Sequence, residues 1–136
     1  MKALVTNILV RFLVSDDERQ SKAVYRLFRR AESEKTVFFV PFLVILETIW
    51  VLEAVYQISR ADILDAINDI LFLHILKFEA QSVLKRFLIE AQEKNTDLAD
   101  VLIYCSAKLA GCETVLSFDK KSARLGIFEL VEDFVG

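Results

Sequence analysis

The sequence predicts an α/β fold, a three-layer α/β/α sandwich with a central parallel sheet, formed by one domain over residues 1–136. Three observations carry this. Short apolar strand-like runs alternate with longer helical stretches, which is the order that builds parallel sheets. The length of 136 residues suits a single domain with one core. No internal repeat, low-complexity segment or linker divides the chain. Hydrophobic residues make up 54%, above the usual share, so an apolar face is left for a partner chain.

The elements follow in order. Lys2-Ala3-Leu4-Val5 reads as a short buried strand. Thr6-Asn7 is a polar break, and residues 8–14 form a short helix carrying Arg11. Asp16-Asp17-Glu18 is an acidic helix start, favoured by the helix dipole. The helix that follows, to about Glu32, places Ala23, Leu27 and Ala31 on one face. Arg26, Arg29 and Arg30 near its end fit either dipole compensation in solvent or RNA contact. Thr36-Val37-Phe38-Phe39-Val40 is a strand rich in β-branched and aromatic residues. Pro41 suits the first turn of a helix running to about Gln57. Ser59-Arg60-Ala61-Asp62 has capping-box spacing and opens another helix, to about Phe72. A third strand covers residues 74–78, opened by His74, whose role reads as structural. Residues 80–93 make an amphipathic helix with Val83, Phe87 and Ala91 among its apolar positions. A helix from Asp97 to Ala110 stops at Gly111. A strand over residues 113–116 and a last one over residues 127–131 complete the sheet.

Composition narrows the function. The net charge of −3 and pI of about 5.2 argue against a broad basic surface, while leaving room for a local patch. Cys105 and Cys112 lack zinc-ligand spacing and fit a reduced, cytoplasmic protein, with Cys105 at an apolar helix position. No targeting segment is expected. The most hydrophobic run, residues 37–52, is broken by Pro41 and Glu47 and is shorter than the ~20 residues of a membrane span.

Carboxylates mark the candidate site. Asp97 and Asp100 lie three apart in the first turn of one helix. Asp119 follows a strand end, where parallel sheets bind ligands. The three can converge, and oxygen-only clusters suit Mg²⁺ or Mn²⁺. Alternatively, Asp97 and Asp100 only stabilise a helix N-terminus. Glu47 stands in a helix apolar nearly all round. A buried carboxylate there needs a partner or metal, unless it faces a thin solvent stripe beside Thr48.

Taken together, the chain resembles PIN domains, in particular the VapC-type toxins of bacterial and archaeal toxin–antitoxin modules. The resemblance runs through Thr6-Asn7-Ile8-Leu9-Val10-Arg11-Phe12-Leu13, Asp16-Asp17, Val40-Pro41, Glu47-Thr48-Ile49-Trp50-Val51-Leu52, Tyr56 and Ser59-Arg60. It continues through Asp97-Leu98-Ala99-Asp100-Val101-Leu102-Ile103, Ala110-Gly111-Cys112 and Ser117-Phe118-Asp119-Lys120-Lys121.

The resemblance implies a Mg²⁺- or Mn²⁺-dependent endoribonuclease. Glu47, Asp100 and Asp119 would match metal ligands and Asp97 an accessory carboxylate, all four in a catalytic pocket. Such ions activate water and neutralise charge on the scissile phosphate. It also implies a cognate antitoxin and an RNA substrate such as tRNA, while the hydrophobic excess, with Phe42, Trp50 and Tyr56 too many for one helix face, points to a homodimer, and the broken hydrophobic run to no membrane association. One position departs from the family's pattern, which opens Asp-Thr-Asn. This chain has Val5-Thr6-Asn7, so one ligand is missing and activity is expected to be weak or absent. Valine there fits either a naturally degenerate member or one disarmed by substitution. Thr6 and Asn7 remain to position water or phosphate. The alternative is a non-catalytic module that binds RNA or an antitoxin.

Overall fold

Helices and short strands alternate along the chain in a computed structural model that describes residues 1–124 and 126–136. They fall into two compact units, Met1–Gln81 and Ser82–Gly136.

The first unit holds β1 (Lys2–Ala3), α1 (Thr6–Leu13), α2 (Glu18–Glu34), β2 (Phe38–Val40), α3 (Phe42–Ala54), α4 (Arg60–Leu71) and β3 (Leu76–Phe78). The strands run parallel in the order β1-β2-β3, with Lys2 opposite Phe38 and Phe38 opposite Leu76. Parallel neighbours need crossover connections, which here are the helices. Helix α1 packs on α2 and α3, and α4 on α3 and β3. Leu9, Val40, Ile45, Ile49, Ile63, Ile67 and Ile70 are fully buried.

Local chemistry sets the element ends. Asp17 accepts a bond from the Gln20 amide at 3.0 Å and caps α2, and Ser59 accepts from the Asp62 amide at 3.2 Å and caps α4. Pro41 stands at the N-cap of α3 and offers no side-chain acceptor. Glu79 fills that role from beyond β3, accepting from the Phe42 amide at 2.9 Å.

The second unit contains most of α5 (Gln81–Glu93), then α6 (Leu98–Leu109), β4 (Leu116–Ser117), α7 (Lys120–Arg124), β5 (Glu129–Leu130) and α8 (Val131–Val135). Strands β4 and β5 pair in parallel. Gly111 ends α6 with φ +94°, a conformation in which a side chain is strained.

The α/β class and the parallel pairing are as the sequence predicts. Several details differ. The described strands form two sheets, of three and two strands, and each strand is only two or three residues long. Lys2 and Ala3 are exposed rather than buried. Thr6 and Asn7 belong to the first turn of α1 instead of breaking the chain. On α2 the buried residues are Ser21, Val24, Phe28 and Ala31, so Ala23 and Leu27 face outward. Phe28 decides this, because its ring packs against those of Phe12 and Phe38. His74 lies in the turn before β3, and residues after Leu130 form a helix.

Helix α5 also hides a charge that its apolar periodicity does not announce. Glu90 is 4% exposed and pairs with Arg86 at 2.6 Å and Lys94 at 2.8 Å, one helical turn to either side. The Lys94 bond, reinforced by both positive charges, holds its carboxyl below the usual range against the opposing effect of burial. An acid of lowered pKa adds stability above its unfolded value, and the gain is lost as pH falls through the folded value. Glu90→Gln should therefore cost about 1–2 kcal/mol at neutral pH, since both cations keep some solvent. Urea unfolding should show the two chains converging as pH drops below the ordinary glutamate range.

Candidate metal and nucleic-acid site

In the first unit the site begins where β1 passes into α1. The Leu4 amide still bonds to the Phe39 carbonyl at 2.9 Å, extending the pairing by one residue. Val5 then takes the N-cap of α1 with extended backbone, φ −96° and ψ 170°, and its side chain caps nothing. This valine is 60% exposed. Thr6 is buried, and its hydroxyl donates to the Glu47 carboxylate across 41 positions of sequence. Val5, Thr6, Asn7, Arg11, Glu47 and Tyr56 line a cavity of 360 Å³.

Glu47 is exposed, on the stripe of α3 that also shows Leu43 and Trp50. Its neighbour Thr48 is fully buried and donates to the Val44 carbonyl at 2.6 Å. Glu47 thus needs no metal to offset burial, which removes that reason for assigning it a function. Its bond to Thr6 and its place in the cavity remain.

Arg11 closes one side of this cavity. It donates to Gln20 at 2.6 Å, to Asp16 at 3.2 Å and to the Tyr56 hydroxyl at 2.9 Å. Tyr56 in turn donates to Asp16 at 2.8 Å. The ring of bonds fixes the guanidinium plane, and the Tyr56 bond does most to keep it charged.

The second unit holds the other carboxylates. Asp97 is the exposed N-cap of α6 and makes no side-chain capping bond. Asp100, in the first turn, is half-buried. Asp119 follows β4 in a tight turn, its amide donating to the Ser117 hydroxyl at 2.9 Å and its carboxylate accepting from the Lys121 amide at 3.0 Å. Ser122, fully buried in α7, joins the acids, with its hydroxyl 2.7 Å from Asp119, 3.5 Å from Asp100 and 3.4 Å from Thr96. A hydroxyl has one proton to donate, so the nearer Asp119 takes it.

The consequence is an uneven pair. Burial, then the charges of Asp97 and Asp119, push the Asp100 carboxyl up. The Ser122 bond, then the Lys121 and Ser122 amides, hold Asp119 down. Ser122→Ala should let Asp119 rise toward its ordinary value, as followed by carboxyl-carbon NMR titration.

Repulsion that raises Asp100 is what a bound cation relieves, and an all-oxygen donor set suits Mg²⁺ or Mn²⁺. The donor type fits such an ion. The number of donors is less complete: among the described residues no three His, Cys, Asp or Glu side chains are grouped closely enough to hold one.

Residues 2–127 match the PIN domain family. The chain belongs to that family. The match runs through both units. The chain is also similar to the VapC ribonuclease of Aquifex aeolicus (strain VF5), 28% identical over 126 residues, covering 93% of each chain. Of the residues singled out from sequence, the structure joins Thr6 to Glu47 and Asp100 to Asp119. Asp97 acts on Asp100 through its charge. Ser122 is not among the residues that the sequence singles out. Its only signal is its place three residues after Asp119, one helical turn on.

Proposed function

We propose that this PIN protein is a Mg²⁺- or Mn²⁺-dependent endoribonuclease toxin of a type II toxin–antitoxin system, weakened by valine at position 5. The observation that carries the reading is the Asp100 and Asp119 pair met by the Ser122 hydroxyl, with the charge of Asp97 acting on Asp100, in a chain that matches the PIN family over residues 2–127. The VapC name of the Aquifex relative supports the ribonuclease and its antitoxin setting.

In this reading the family resemblance assigns ion binding to Glu47, Asp100 and Asp119, and an accessory role to Asp97. The ion would supply a polarised water and neutralise phosphate charge. Thr6 orients Glu47, Ser122 orients Asp119, and Asn7 is free to position water or phosphate. The single PIN domain would take a structured or single-stranded RNA such as tRNA and act in the cytoplasm. Among the described residues no helix is long and apolar enough to cross a membrane. Leu43 and Trp50 are 74% and 60% exposed on α3, which supports an apolar interface with a second copy or with the cognate antitoxin.

A second reading has its own support. The exposed Val5 at the cavity offers no oxygen, so the chain can serve as a non-catalytic module that binds RNA or an antitoxin. Metal-dependent RNA cleavage by Val5→Asp beside the unchanged chain separates the two. Gain of cleavage supports the nuclease, and no cleavage by either chain favours the binding module.

A further inference from the structure

Helix α2 carries Arg19, Lys22, Arg26, Arg29 and Arg30, with no acid between the first and the last. At about 100° per residue the five fall within an arc of about 100°. The buried Ser21, Val24, Phe28 and Ala31 occupy the opposite side, and all five cations are exposed. The stripe's +5, set against a total of −3, leaves −8 for the rest of the chain.

Helix chemistry does not account for this charge. The dipole favours cations in the last turn, yet that turn holds no basic residue and instead carries Glu32 and Glu34. Arg19 stands in the first turn, where the dipole disfavours it, and Lys22 lies beyond that turn, where the dipole gives it no support. Dipole compensation therefore fails for Arg26, Arg29 and Arg30 as well. Local pairing explains only two members. Lys22 meets Glu18 at 2.9 Å and Arg30 meets Glu34 at 3.0 Å, both exposed pairs of little strength. Arg19, Arg26 and Arg29 form no ion pair among the described residues.

We propose that this face of α2 is a track for the phosphate backbone of RNA, a role that rests on the ribonuclease reading above. The stripe is about 16 Å long, enough to follow one strand over a few successive phosphates. The other residue of α2 that falls within this arc is Ser33, small and polar, so the stripe itself offers charge and no apolar anchor, while the exposed aromatics Tyr25 and Phe72 line a cavity beside Arg29. Phosphate contact needs only charge and reach, and arginine suits it best. A local track also reconciles RNA binding with an acidic chain.

The test is fluorescence anisotropy with an end-labelled single-stranded RNA of mixed sequence, in EDTA so that no cleavage occurs. The full chain is compared with Arg19→Gln/Arg26→Gln/Arg29→Gln and with Lys77→Gln/Lys85→Gln/Lys108→Gln, which removes equal charge from other elements. Glutamine is a good helix former, and circular dichroism checks that each variant is folded. The stripe variant should bind at least about tenfold more weakly, and its slope of log K against log salt should be shallower by about 2, at ~0.7 per lost contact. The control variant should lose less than half as much slope. Equal binding by the stripe variant, equal loss in the control, or no RNA binding by the full chain overturns the track. So does a stripe-dependent affinity for polyglutamate with RNA binding unchanged, which would assign the face to an acidic peptide. Metal-dependent cleavage by Val5→Asp is a separate readout. It persists when only the track is wrong and is absent when the nuclease reading fails.

Discussion

A chain carrying Val5→Asp should melt no higher than the parent in EDTA and roughly 10 °C higher in Mn²⁺ at a hundredfold excess over Kd. Two effects oppose each other without metal. Position 5 is the N-cap of α1, and valine satisfies none of the free amides there. Aspartate should gain about 1 kcal/mol as a cap, aided by the dipole. The same carboxylate enters the cavity that Glu47 lines, and like charges there repel. Metal turns the repulsion into a joint ligand set. At a hundred times Kd, linkage supplies about 2.7 kcal/mol. The parent should show a much smaller shift, because loss of even an outer-sphere partner typically weakens metal sites about 10–100-fold. Melting curves of both chains with EDTA, Mg²⁺ and Mn²⁺ check this. Equal shifts in parent and variant would remove position 5 from the metal account.

Asp100→Asn and Asp119→Asn, each made in the Val5→Asp chain, should both weaken Mn²⁺ binding at least about 10–100-fold and cut cleavage at least as far. Their effects on metal-free stability should have opposite signs. Burial and two like charges raise the Asp100 carboxyl. A raised acid costs stability once ionised, and the cost appears as pH climbs from the ordinary aspartate range through the folded value. Asp100→Asn removes it and should stabilise the fold at neutral pH. Asp119 is held low by Ser122 and two amides. Its contribution is present above the ordinary range and fades as pH falls through the folded value, so Asp119→Asn should destabilise at neutral pH. Calorimetric Mn²⁺ titration and urea melts measure both effects. Loss of metal affinity with the same sign of stability change for both variants would argue against the uneven pair.

Much of the helical framework was legible in the sequence because capping residues act locally. Ser59 and the acidic turn before α2 mark helix starts that the structure retains. Strand limits were less legible: β1 and β4 are two residues long, and tertiary pairing rather than propensity decides where so short a ladder stops. The periodicity puts Ala23 and Leu27 on the α2 core face, but Phe28 takes their place because its ring buries more apolar area. Its apolar neighbours leave Glu47 either buried with a partner or metal or on a thin solvent stripe; the structure has the stripe, shared with Leu43 and Trp50 rather than with the buried Thr48. The site's acids were legible as residue types in order. Their uneven pairing was not, because it depends on where a single serine hydroxyl points.

The central claim is metal-dependent RNA hydrolysis, and the most direct measurement is cleavage of an end-labelled tRNA pool by the Val5→Asp chain in Mn²⁺, with EDTA and the Val5→Asp/Asp119→Asn chain in parallel. The account predicts discrete cleavage products from Val5→Asp in Mn²⁺, at a rate at least about tenfold above both controls. Intact RNA in every lane, or the same products in EDTA and with Asp119→Asn, would contradict it.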